Sequence, residues 1–215
     1  MFIRYATTDL RFFVAVIITV IVSICLHELA HGVVAIWLGD RTPIETGHMT
    51  LNPAVHMGLP SVICLLLAGI AWGAMPVNPR RLRGRFSAAL VAAAGPAANV
   101  LLALMAIASL GIWQRWDLRR GDALGVPLAN LQYLLWVFGA TNFALAIFNL
   151  IPIPPLDGSR ILGNFSRAYG RLMSGLSATG GLVVLFIVVF AFAGTVIGPL
   201  ALTLARSSLQ ITRGY

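Results

Sequence analysis

His27, Glu28 and His31 form a His-Glu-x-x-His run in a chain of 215 residues. Two histidines four residues apart lie on one face of a helix, so both imidazoles reach a single metal ion. Glu28, three residues before His31, comes within reach of a water activated there. A zinc ion with three protein ligands keeps a fourth position open and lowers the pKa of water to about 7. Glu28 then takes the proton and passes it to a leaving amine. The chain holds only four His and two Glu, so chance supplies such a motif on the order of 10⁻³ times at this composition. The plain alternative is a pair of satisfied core histidines. Burying His, Glu and His in an apolar run without a function is costly, which weighs against it.

A third ligand must come from a short inventory. The other acids are Asp9, Asp40, Glu45, Asp117, Asp122 and Asp157. A third histidine one or two turns on is absent, because Val34 and Trp37 occupy the relevant positions. Asp9, Asp117 and Asp122 sit in polar flanks, and Asp40 is too near the helix end to fold back on His27. Glu45, in a polar edge segment, stays open as an alternative. Asp157 stands in Pro154-Pro155-Leu156-Asp157-Gly158, directly after an apolar run. A carboxylate on irregular backbone at membrane depth needs a cationic partner, and a metal is the simplest one. His48 and His56 remain as a fourth ligand or as substrate-gating, substrate-binding groups. The need for an open metal position favours a plain polar contact for both.

The elements that position these residues are apolar. Hydrophobic residues make up 59% of the chain, charged residues 10%, and the mean hydropathy is +0.88. A soluble domain carries roughly 25% charged residues, and disordered chains are poor in apolar ones, so both classes are excluded. The composition predicts an all-α polytopic membrane protein with about four to six membrane segments, each needing ~20 apolar residues. It reads as one integral membrane domain over 1–215, with a core at 12–165 and a C-terminal apolar region at 173–205. The net charge is +8, carried by fifteen arginines. They fall between apolar runs, which points to anchoring at the membrane surface and not to nucleic acid. Cys25 and Cys64 lie in apolar stretches and give no disulfide framework.

Along the chain, Phe12–Gly39 carries no charge except Glu28. It is too long for the core of a cleaved leader and is expected to stay as the first span. Residues 41–57, with Pro43, Gly47, Asn52 and Pro53, predict a short extended or hairpin-like edge segment. The apolar stretch 58–75 reads as a tilted span or a re-entrant segment. Ser87–Trp113 and Leu131–Ile151 read as spans, joined by a polar loop at 114–128 that includes Asp117 and Asp122. Pro152, Pro154 and Pro155 force irregular backbone over 152–158. Ser159–Arg171 reads as amphipathic, and Gly175–Ala205 as one kinked span or two short ones.

Four pieces in order, HELAHG at 27–32, TLNPAVH at 50–56, AGPAAN at 94–99 and FNLIPIPPLDG at 148–158, resemble the site-2 protease family of intramembrane zinc metalloproteases. HExxH alone is shared by many unrelated proteases; followed by NLIPxxPLDG in a polytopic chain it is much more specific. The resemblance implies one zinc held by His27, His31 and Asp157, with Glu28 as general base. It implies that Asn149 holds the substrate or the developing oxyanion, which its amide donors suit. Asn142 resembles another recurring family position, with a tentative substrate-binding role. Asn99 is expected to serve helix packing. The implied partners are a transmembrane protein substrate and the lipid bilayer, and the implied location is the plasma membrane, as a multi-pass protein. Residues 76–85 and 158–172 would face the cytoplasm; the arginines, eight against seven, barely vote on orientation. The competing readings are a non-catalytic metal-binding scaffold and a metal or proton transporter. A transporter would spread ionisable groups along a path, whereas here they converge.

Overall fold

The computed structural model describes residues 1–120 and 126–213, with side chains given outside 117–128 and up to 212. The described residues form helices and connecting segments, with no strand among them. In order these are α1 (Tyr5–Thr8), α2 (Leu10–Trp37), α3 (Thr42–Glu45), α4 (Pro53–Ala68), α5 (Ser87–Arg120), α6 (Val126–Asn149), α7 (Asp157–Phe165), α8 (Arg167–Ala178) and α9 (Gly181–Arg213). Four of them, α2, α5, α6 and α9, are long and apolar enough to cross a membrane. The protein is therefore an all-α multi-pass membrane protein. The C-terminal apolar block is one helix that runs through Pro199.

Local sequence explains the ends of α2. The Asp9 carboxylate accepts the Phe12 N–H and caps the first turn. Gly39, at φ +104°, takes the left-handed conformation that ends the helix, and the Asp40 N–H returns to Ala35 O. The 28 residues between are apolar on every side, about 42 Å of helix at 1.5 Å per residue.

α2, α5 and α6 run antiparallel in turn. His31 meets Val91 and His27 meets Asn99, while Asn99 meets Asn142, so rising numbers on one helix face falling numbers on the next. α9 closes the bundle against α5 and α6. Ala103, Ile107 and Leu110 of α5, Phe143 of α6, and Ala201, Ala205 and Leu209 of α9 form the main buried apolar cluster. Lipid is as apolar as leucine, so helices associate here through close packing and not through hydrophobic exclusion. Gly139 shows this: a Cβ there would stand 2.6 Å from the Ile107 side chain. The polarity is inverted relative to a soluble bundle. Val14, Ile18, Val22, Leu101, Leu104, Val183 and Ile187 face outward, while Thr19, Ser23, Asn99 and Asn142 are fully buried.

Two sequence expectations change, and a third narrows to one of its alternatives. The edge segment is largely helical and not β-like: Pro43 opens α3, and Asn52 caps α4 by accepting the Ala54 N–H, with Pro53 at its first position. The 114–128 loop is shorter than expected, because α5 stays helical through Arg120 and α6 begins at Val126; residue Asp122 lies outside the described residues. The 58–75 stretch is neither a full span nor a simple helix. α4 kinks at Gly58 (φ +65°, ψ +165°), packs Met57 and Leu65 against Val20 and Ile24 of α2, and stops at Gly69, which lies against Phe2. The chain then returns as extended backbone over 70–78 to the end of α2 where it began. Both ends of this hairpin share one face of the bundle, so the segment is re-entrant.

The return is pinned. Ser61 Oγ donates to Trp72 O and accepts the Trp72 N–H. The Ala74 N–H donates to His56 O, and the Asn78 N–H to Asp40 Oδ2 at 2.6 Å. Burial alone would raise the pKa of Asp40; donation from Thr42 and from the Asn78 N–H outweighs it and holds the carboxyl below its usual range.

Candidate metal centre

α2 presents His27 and His31 one turn apart on its inner face, and both are buried. Asp157 reaches them from the first residue of α7, after the irregular 150–156 turn that the prolines impose. Gly158 is required for that approach, because a Cβ there would stand 2.2 Å from Leu150 O.

The orientation of both imidazoles, and which nitrogen donates, follow from backbone carbonyls and a chain of amides. Phe138 O can only accept, so it fixes the Asn142 NH₂ toward itself, at 2.9 Å, and toward Ser23 Oγ, at 2.8 Å. Asn142 Oδ1 then receives the Asn99 amide at 2.8 Å, which turns Asn99 Oδ1 toward His27 Nδ1 at 2.6 Å. His27 must therefore donate from Nδ1. His31 Nδ1 likewise donates to Val91 O at 2.7 Å. In the neutral rings that a metal ligand requires, both Nε2 atoms then carry the lone pair, and they stand 3.0 Å apart. Asp157 Oδ2 stands 3.1 Å from one and 3.3 Å from the other, buried and without a donor.

Three ligand atoms that converge this closely can share one cation. Bonds of about 2.0–2.1 Å in a tetrahedral zinc site place ligand atoms roughly 3.3 Å apart, close to the 3.0, 3.1 and 3.3 Å found. The donor set fits a divalent metal. Among the described residues this is the group of three that converges in this way, and Glu45 is not part of it: it pairs with Arg81 at 2.5 Å.

The site opens into a cavity of about 690 Å³ inside the bundle, within the range of ~300–1,000 Å³ typical of ligand sites. His27, Glu28, His31, Asp157, Asn149 and the extended 70–77 backbone line it. Glu28 is buried, and Gly73 passes so close that a Cβ there would stand 2.6 Å from Glu28 Oε1. Asn149 spends one amide hydrogen on Leu145 O and faces the cavity with the rest.

The remaining sequence candidates stand elsewhere. Asn142 is fully buried, in the amide chain that supports His27, and not at the cavity wall. His48 bonds Thr46, and His56 is buried with its Nε2–H on Thr50 O; neither lines the cavity. Asn99, expected to serve packing, orients His27 instead. Gly95 was not singled out by sequence, yet a Cβ there would meet His31 Nε2 at 2.4 Å and His27 Nε2 at 2.5 Å. Hydrogen-bonded supports of a metal ligand typically contribute 10–100-fold in affinity. Asn99→Ala should therefore weaken zinc binding by about that factor in competition with a chelator, and unchanged affinity would count against this arrangement.

A polytopic helical fold with two histidines and an aspartate converging next to a buried glutamate has the residue set of the HExxH class of membrane proteins. A profile of peptidase family M50 matches residues 15–192, and the chain belongs to that family, the site-2 proteases. It is 38% identical over 148 residues to "Putative zinc metalloprotease YwhC" of Bacillus subtilis, covering 68% of this chain and 66% of that protein. It is 34% identical over 155 residues to "Putative zinc metalloprotease Rip2" of Mycolicibacterium smegmatis, covering 68% of this chain and 55% of that one. The match thus spans between about half and two thirds of these relatives. No solved structure matches the chain.

Proposed function

We propose that this protein is an intramembrane zinc metalloprotease that hydrolyses a peptide bond in or near a membrane-spanning segment of a substrate protein, in the plasma membrane. The observation that carries the reading is the buried Glu28 beside three converging ligand atoms, in a cavity lined by membrane-crossing helices.

His27, His31 and Asp157 hold the zinc, which supplies Lewis acidity and activates water. Glu28, one residue from a ligand and in the same cavity, accepts the proton of the attacking water and delivers it to the leaving amine. Asn149 directs its free amide hydrogen to the substrate carbonyl, where charge develops. The substrate helix must unwind first, because a helical amide is shielded by its own hydrogen bonds.

The 70–77 backbone suits the unwound strand. Its inward N–H groups, at Trp72, Ala74 and Asn78, are occupied, and Pro76 has none. Those of Ala71, Gly73, Met75 and Val77 have no partner among the described residues. This alternation is that of an edge strand, which binds an extended peptide by strand addition. Ala71→Pro and Val77→Pro each remove one such N–H; at about 1 kcal/mol per bond, each should lower cleavage efficiency up to about tenfold with zinc content unchanged. Unaltered cleavage would argue against strand addition.

The test of the function is a panel of single-span reporters in liposomes with the purified protein. Cuts mapped by mass spectrometry to the apolar segment, lost on chelation and restored by zinc, are expected. Full zinc binding without cleavage of any reporter would favour a metal-binding scaffold.

A further inference from the structure

Arg160 follows Asp157 by three residues on α7, so the two side chains share one side of that helix. It lines the metal cavity, and it is the one arginine among the described residues that do. Its guanidinium is exposed and forms no hydrogen bond or ion pair among the described residues. Glu28 lines the same cavity without an ion pair to it, and the other acids on this side are engaged. Asp40 accepts from Thr42 and the Asn78 N–H, Glu45 pairs with Arg81, and Asp157 belongs to the metal centre. The antiparallel order of the helices places Arg41, Arg80, Arg81, Arg83, Arg85, Arg167 and Arg171 on this same face. A cavity walled by low dielectric with an unpaired guanidinium at its mouth attracts negative charge. The planar fork matches a carboxylate in bidentate fashion.

We propose that Arg160 is a specificity-determining residue that receives the carboxylate of a substrate Asp or Glu on the arginine-face side of the scissile bond. The proposal rests on the protease reading. One helical turn plus the length of an arginine side chain puts that carboxylate roughly 10 Å from the metal centre, about three extended residues from the cut bond. A peptide is favoured over a lipid headgroup because the guanidinium borders the cavity that also holds Glu28, Asn149 and the extended backbone.

The test uses three single-span reporters that carry Asp, Asn or Lys at that position. Their binding to the Glu28→Gln protein and their cleavage by the parent are measured in zwitterionic liposomes and again with anionic lipid present. The Asp reporter is expected to bind and react at least tenfold better than the Lys reporter, through KM. Arg160→Glu reverses the order, Arg160→Ala removes it, and Arg160→Lys keeps part of it. Equal discrimination in parent and Arg160→Ala, equal loss for all three reporters, or a preference seen only with anionic lipid would overturn the proposal. Charge order in binding without turnover would sink the protease reading, and with it the specificity role, and leave Arg160 as a carboxylate-binding residue only.

Discussion

Glu28→Gln abolishes cleavage and keeps its zinc. The amide matches the carboxylate in shape, and Glu28 is not among the three converging ligand atoms, so the centre stays intact. What is lost is the group that takes the proton. General base catalysis contributes about 10²–10⁴-fold, and among the described residues the one other carboxylate that lines the cavity is Asp157, which converges with the two histidines. A fall of at least about 10³-fold in kcat is expected on that scale. The check is reporter cleavage alongside zinc content by atomic emission, on the same preparation. Equal turnover in parent and variant would remove Glu28 from the mechanism; loss of zinc would mean that it holds the metal instead.

Gly95→Ala should cost nearly as much by another route. The added methyl would stand 2.4 Å from His31 Nε2 and 2.5 Å from His27 Nε2, well inside contact distance. A flexible side chain would swing away. These imidazoles cannot, because Asn99 and Val91 O fix their far nitrogens. The methyl therefore pushes the rings from the positions in which their lone pairs converge, and zinc affinity should fall by more than about 100-fold, the upper range for lost ligand support. Intrinsic helix propensity favours Ala over Gly by about 1 kcal/mol, so α5 itself gains. Competition with a chelator, read together with helicity by circular dichroism, separates the two effects. Parent-like zinc affinity would show that the rings yield more readily than their hydrogen bonds imply.

The contrast between these residues shows what a linear reading reaches. His27, Glu28 and His31 were legible because helical spacing alone puts two imidazoles on one face. Asp157 was legible because so few acids remained and because prolines placed it on irregular backbone. The four spans follow from hydropathy. Asn99 and Gly95 were not legible as parts of the centre. Both lie in a run of small residues that reads equally well as close helix packing, and their role depends on which turn of α5 lies level with His27, 72 residues earlier in the case of Asn99. Asn142 was assigned to substrate because it resembles a recurring family position, a likeness that does not say what its side chain meets; it meets Asn99, Ser23 and Phe138 O. The edge segment failed differently. Turn residues at 41–57 were read as extended chain, although Asn52-Pro53 is a helix start. The true extended backbone, 70–78, is apolar and looked like the end of a span. Its conformation is imposed from outside, by Ser61, His56 O and Asp40.

The amide chain from Phe138 O to His27 carries a consequence for biosynthesis. α2, with two ligands and the glutamate, leaves the ribosome first, yet the His27 tautomer is set only when Asn142 of α6 has docked. Asp157 emerges later still. A nascent chain therefore carries half a centre through most of its synthesis, with its glutamate unable to attack anything. Competence arrives in one step, when the last core helix seats and the turn beyond it delivers the carboxylate. On the protease reading, an enzyme made in the same membrane as its substrates is in this way kept harmless until it is whole.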